Sequence, residues 1–258
     1  MPDETSLVPS PRNPLSQVVQ RVRRYVGANA AMLLTGGVGA GLFTGLLIAS
    51  GEVYAAVTDA DGVSGLDQPA LDYAISVRTP VNDQVVTGFT NLGGTVPMVI
   101  FGLLLTGIMF WRWRRRSILI LMVVAAAGST IFTSVGKTLV GRQRPPHEEA
   151  VPPYEFAPSF PSGHTLNSTV VALMLAYIAF WLAKALWVRV LCPILASLWA
   201  IAMGLSRVFL GHHWLTDVIF GWVFGLAWLA LIITVHRILL RLERRDPEVV
   251  TKPAEERF

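Results

Sequence analysis

WLTDVIFGWVFGLAWLALIITV, residues 214–235, carries one charged side chain, Asp217, in an otherwise uncharged run. About 20 residues of this character, each rising about 1.5 Å along a helix axis, are what the hydrocarbon layer of a bilayer demands. Five further runs of the same kind precede it, at 29–51, 95–111, 117–136, 164–183 and 190–206. The shortest, 95–111, is near the lower limit and is expected to take in a few flanking residues. Of the 258 residues 53% are apolar and only 15% charged, and the mean hydropathy is +0.53, beyond what a soluble domain carries. The expected fold class is all-α, a six-transmembrane helix bundle forming one membrane domain over 26–240. The polar ends, 1–25 and 241–258, read as flexible cytoplasmic tails. Cys192 is the single cysteine, so no intrachain disulfide exists and redox compartment is not readable from it.

Basic residues orient the bundle. With the N-terminus inside, 16 of the 21 Lys and Arg side chains fall in inner segments, among them Arg21, Arg23, Arg24, Arg112, Arg114, Arg115, Arg116, Arg237 and Arg241. Six spans return the C-terminus to the same side. The net charge of +4 therefore follows from topology and implies no nucleic-acid partner. Trp111, Trp113, Trp181 and Trp187 mark the inner boundary and Trp214 the outer one, as interfacial belts do. Compact loops without extra domains fit a bacterial plasma membrane.

Between the first two spans, Leu71, Ile75, Val81, Val85, Phe89 and Leu92 recur at mostly four-residue spacing, interrupted by Pro80. The spacing predicts two short interfacial helices, lying on the outer leaflet or packed as a lid on the helix ends. Gly37, Gly41 and Gly45 make a small-residue face on the first span, suited to packing within the bundle or to a homodimer. Ala55 and Ala56 follow this run as they would follow a signal peptide, but the run exceeds a usual signal core.

Polar residues then collect in one layer. Lys137 lies 20 residues beyond Ser117 and Arg207 lies 17 beyond Val190, placing them roughly 30 Å and 26 Å from the inner surface. The fourth span begins at Pro161, Ser162, Gly163 and His164, and the sixth near His213, with Asp217 one turn inside. Several fixed cations in one layer repel unless an anion sits between them. A phosphate fits, with the helix start at Ser162 and Gly163 offering free amides to it. His213 and Asp217, at i and i+4, would share a helical face, letting the carboxylate fix one imidazole nitrogen and free the other. Singly, Lys137 or Arg207 could snorkel, His164 could cap, and the His213–Asp217 pair could be structural.

Three motifs carry a resemblance. They are Lys137 with Arg144-Pro145 in KTLVGRQRP, PSGH at 161–164, and Ser206-Arg207, His213 and Asp217 in SRVFLGHHWLTD. In residue type and spacing they resemble the signature of the type 2 phosphatidic acid phosphatase superfamily, which also includes lipid phosphate phosphatases and vanadium haloperoxidases. The likeness extends over roughly residues 30–235.

The resemblance implies that Lys137, Arg144 and Arg207, helped by Ser162 and Gly163, hold the phosphate. It also implies that His213 attacks to form a phosphohistidine, that His164 protonates the leaving group, and that Asp217 orients His213. His212 is expected to take no part. Arg142, His147, Glu148 and Glu149 read as solvated loop residues that could touch a head group. Zinc at the two histidines and Asp217 is disfavoured by the three cations, so neither metal nor cofactor is expected. A transporter would need charges across the bilayer, whereas these stop at one face. A phosphotransferase would share the first half-reaction. The expected substrate is a lipid phosphate or diphosphate: phosphatidate, phosphatidylglycerol phosphate or a polyprenyl diphosphate.

Overall fold

The computed structural model describes residues 14–243, and these are helical apart from their connections. Helix α1 spans Pro14–Asp59, α2 Asp67–Ser76, α3 Pro80–Asn91, α4 Thr95–Trp113, α5 Arg116–Val140, α6 Gly163–Leu182, α7 Leu186–Phe209 and α8 Leu215–Glu243. Six helices are long and apolar enough to cross a membrane, namely 29–59 within α1 and then α4 to α8. The expected bundle is the observed one. Helix α1 already starts at Pro14, inside the stretch 1–25 read as a tail, and α8 runs to Glu243. The remaining parts of both tails, 1–13 and 244–258, lie outside the described residues.

Residues 40–233 form one compact unit, which holds every site residue discussed below, and the residues before and after it form a second. Within that second unit, a Cβ on Gly39 would lie 2.0 Å from the hydroxyl of Thr234. Among the described residues nothing lies within 4 Å of a Cβ added to Gly37, Gly41 or Gly45.

In the larger unit α6 is central. Its span is 61% buried, against 33% or less for each of the others. Ile118, Met122 and Ala125 of α5, Val170, Met174 and Ile178 of α6, and Leu229 and Ile232 of α8 share one core cluster. Small residues set the approach distances. A Cβ on Gly221 of α8 would come 3.1 Å from Cβ of Thr165, and one on Gly204 of α7 would meet the Trp222 ring at 2.4 Å. The indole N–H groups of Trp222 and Trp228 donate to the carbonyls of Ala200 and Ala125 at 2.9 and 3.2 Å. Donors at this depth have no water to turn to. Outward faces stay apolar, as with Leu34, Leu103, Leu139 and Leu195. At the ends of α4 and α6, Arg112 and Arg115 stack over Trp113 and Trp181, in keeping with an interfacial belt.

The two short helices occur where the spacing predicted. Thr79 caps α3 by accepting from Asn82 N at 3.2 Å, with Pro80 as its first residue. The pair is docked on the bundle. Leu71 is buried, Phe89 packs edge-to-face on Trp199 of α7, and Arg78 donates to the carbonyls of Phe209 and Glu149. Val81 and Val85 remain exposed. The lid arrangement thus describes the polar contacts, while part of the anticipated apolar face points away from the chain.

Candidate active site

Four helix ends bring the polar layer together. Helix α5 stops where Gly141 adopts φ 60°, with its N–H returned to the carbonyl of Lys137 at 3.1 Å, so Lys137 occupies the last turn. Helix α7 ends at Phe209, and Gly211 at φ 70° turns the chain toward α8. That glycine is required twice over, because a Cβ there would also meet the Glu149 carbonyl at 2.6 Å.

His213 therefore lies in the turn ahead of α8, and the expected shared helical face with Asp217 is not how the two meet. Asp217 is the third residue of α8 and its Oδ2 accepts from Trp214 N at 3.1 Å. A carboxylate at this position reaching back to the capping residue satisfies one of the amides that a helix start leaves unpaired. The same oxygen lies 3.4 Å from His213 Nδ1 and accepts from Ser159 Oγ, which is itself 3.3 Å from Nδ1. With Nδ1 facing a carboxylate, Nε2 is left as the lone-pair nitrogen, and Arg144 Nη1 lies 3.1 Å from it.

Arg207 and Lys137 lie near enough to act on the His213 ring electrostatically alongside Arg144. Arg144 donates through Nε to Ala157 O at 2.7 Å and pairs through Nη2 with Glu155 at 2.8 Å. Arg207, only 1% exposed, pairs with the other oxygen of Glu155 and donates to Thr90 Oγ1 at 3.1 Å. Its buried Nε has no partner among the described residues. Lys137 donates to the Pro158 carbonyl. Ser162, fully buried, precedes α6 with its Oγ accepting from Thr165 Oγ1 at 2.9 Å, and Gly163 starts the helix so close to α5 that a Cβ would sit 3.0 Å from Thr133. His164 and His213 line one cavity together with Lys137, Arg144 and Glu155.

Burial, and then Arg144, Arg207 and Lys137, push the His213 imidazole well below its ordinary 6.5, so the ring is neutral at neutral pH. Burial would raise the Glu155 carboxyl, but Arg207 and Arg144 outweigh it and hold it at about 2. No group of three or more His, Cys, Asp or Glu side chains suited to a metal occurs among the described residues.

The cavity, about 520 Å³ in all, continues below the cations as a groove between α4, α5 and α6, reaching Thr106, Leu119 and Met122. Val99, Leu103 and Val123 on its walls are 53%, 70% and 66% exposed, so the groove opens sideways toward the surroundings of the bundle.

Residues 117–241 match the family model described as PAP2 superfamily. Over 181 residues the chain is 30% identical to phosphatidylglycerophosphatase B of Bacillus subtilis, covering 67% of this chain and 85% of that protein. The chain belongs to the PAP2 superfamily. It is also 33% identical over 115 residues to lipid A 1-phosphatase of Rhizobium johnstonii, covering 42% of this chain and 43% of that one. The crystal structure of a transmembrane PAP2 type phosphatidylglycerolphosphate phosphatase from Bacillus subtilis is similar at a TM-score of 0.66 and 26% identity, covering 77% of this chain and 96% of that chain.

Of the eight residues singled out from the motifs, Lys137, Arg144, Gly163, His164 and His213 line the cavity, Arg207 joins Arg144 through Glu155, and Asp217 and Ser162 lie behind His213, but four others escaped the sequence. Glu155 bridges Arg144 and Arg207, the place expected for an anion. Ser159 and Arg142 bind Asp217, and Asp67 binds Arg142. Arg142 is thus part of a buried network, contrary to its reading as a solvated loop residue. His147 packs on Tyr154 and Phe156. His212 Nε2 lies 2.7 Å from the Val151 carbonyl.

Proposed function

We propose that the chain is a metal-independent lipid phosphate phosphatase that acts through a phosphohistidine on His213. The carrying observation is continuity: His213 Nε2 faces Arg144, and His213, Arg144 and Lys137 line a cavity that runs into a sideways apolar groove. A phosphate between Lys137, Arg144 and Arg207 would replace the Glu155 carboxylate, gaining the unpartnered Nε of Arg207 and the first amides of α6. Its chain would follow the groove into hydrocarbon.

Nε2 attacks phosphorus while the bond to the leaving oxygen breaks, and that oxygen takes its electron pair and a proton from His164. Lys137, Arg144 and Arg207 stabilise the charge on the five-coordinate phosphorus, and Asp217 supports the positive charge on His213. His164 then accepts a proton from water. The water oxygen bonds to phosphorus, and the P–N bond pair returns to Nε2.

The Lys and Arg distribution supports cytoplasmic termini and a site at the outer face of the plasma membrane. Similarity to lipid phosphatases of two kinds supports the substrate class. The test is a panel of phosphatidate, phosphatidylglycerol phosphate, a polyprenyl diphosphate and soluble phosphate esters, assayed on purified protein with chelator present and His213→Ala as control. Phosphate released into water from one lipid class with the highest specificity constant is the expected result. Faster turnover of soluble esters, transfer of label to a lipid acceptor, or activity retained by His213→Ala would overturn the reading.

A further inference from the structure

Arg142 does not line the cavity, yet its guanidinium is fixed on two sides. Nη2 lies 2.6 Å from Asp67 and Nη1 2.6 Å from Asp217, with Nη1 also 2.8 Å from Thr216 Oγ1. Asp67, the first residue of α2, accepts in addition from Thr216 N and Oγ1 at 2.8 and 2.7 Å. Trp214 covers the guanidinium from one face. Oδ2 of Asp217 serves His213, Ser159 and Trp214, whereas Oδ1 is held by Arg142.

We propose that Arg142 is a positioning residue: clamped by Asp67, it fixes the charge and aim of Asp217 and so couples the docking of α2 to the reactivity of His213. The inference rests on the reading of His213 as nucleophile. Two buried carboxylates flank one cation here, and without the cation their like charges repel across the gap and turn Asp217 from its aim. A displaced Asp217 neither holds Nδ1–H in place nor supports the charge that forms on the ring. Lysine would keep the charge but lacks the planar fork that spans both carboxylates. Lys137, Arg144 and Arg207 have their bonds elsewhere, so phosphate binding is left intact.

The experiment compares wild type, R142Q, R142K, D67N and the double variant on dioctanoyl phosphatidate in detergent micelles, with H213A as control and inhibition by inorganic phosphate measured throughout. R142Q is expected to lose kcat on the order of 100-fold, below the roughly 10⁴-fold that follows damage to an orienting carboxylate itself. KM and phosphate inhibition should stay within about twofold of wild type. R142K should recover part of the loss, D67N should lose about tenfold, and adding D67N to R142Q should cost little more because the two act as one unit.

A raised KM with unchanged kcat in R142Q makes Arg142 a head-group contact and overturns the proposal. Loss of phosphate inhibition together with kcat overturns it in favour of a merely structural role, as does full additivity of the two substitutions. Wild-type turnover by H213A instead removes the nucleophile reading beneath it, a result distinct from each of these.

Discussion

Replacing His164 by asparagine should split the reaction at its two proton transfers. His164 is the second residue of α6 and lines the same cavity as His213, Lys137 and Arg144. In the proposed mechanism it serves the leaving oxygen in the first step and the attacking water in the second. Each transfer is worth about 10² to 10⁴ in rate, or about 3 to 5 kcal/mol at about 1.4 kcal/mol per tenfold. A leaving alkoxide from a lipid needs the proton, so H164N should lose about 10³-fold on phosphatidate. A nitrophenolate needs none, so p-nitrophenyl phosphate should still load His213, after which the slow attack of water leaves the phosphoenzyme to accumulate. Rapid quench with labelled aryl phosphate should show a burst close to one label per chain, stable in base, labile in acid and mapping to His213. Equal losses on the two leaving groups without a burst, or label persisting in H164N/H213A, would refute the assignment of His164 and His213.

Because burial and three cations depress the His213 pKa, the plateau of kcat/KM should continue below pH 6.5, and an acid limb centred on 6.5 would contradict the geometry. Linkage acts in the same direction: the unfolded chain binds protons at His213 below its ordinary 6.5 and at Glu155 below 4.5, while the folded chain resists, to about 2 for Glu155. Thermal stability in detergent should therefore be complete above pH 6.5 and fall as the pH drops toward 4. Glu155→Gln leaves the Arg144 and Arg207 guanidiniums without their shared carboxylate, so Tm should drop by several degrees and recover with millimolar phosphate; an unchanged Tm counts against the bridge. Gly204→Ala drives a Cβ to 2.4 Å from the Trp222 ring and should cost about 1–3 kcal/mol, whereas Gly41→Ala, with open space around it, should leave Tm unchanged; differential scanning fluorimetry separates the two.

The six spans were legible because a membrane helix must be long and apolar by itself, before any partner is considered. Lys137 and Arg207 were legible because their outer helix ends run against the inward basic bias, and depth counting brought them to one layer with His164 and His213. The turn at 210–214 was not, because a spacing of four fits a helical face as well as a carboxylate reaching back across a helix start. Arg142 and Glu155 were hidden for a different reason. Each sits in a polar loop with other charged residues, and what distinguishes Arg142 is a pair of partners each 75 positions away. Asp67 was equally silent: it opens a helix, where an acidic residue is ordinary, and only its docking on Thr216 gives it a further part.

The groove that joins the cations to the flank of the bundle has a consequence for how the two products depart. On the proposed function, a lipid whose chain lay in it would stay within hydrocarbon through the whole cycle, and the dephosphorylated lipid would leave by moving in the plane of the membrane. Inorganic phosphate has to escape along the normal, into water. The products enter different phases, and feedback by each will follow a different concentration: the surface density of lipid in one case, the bulk ion in the other.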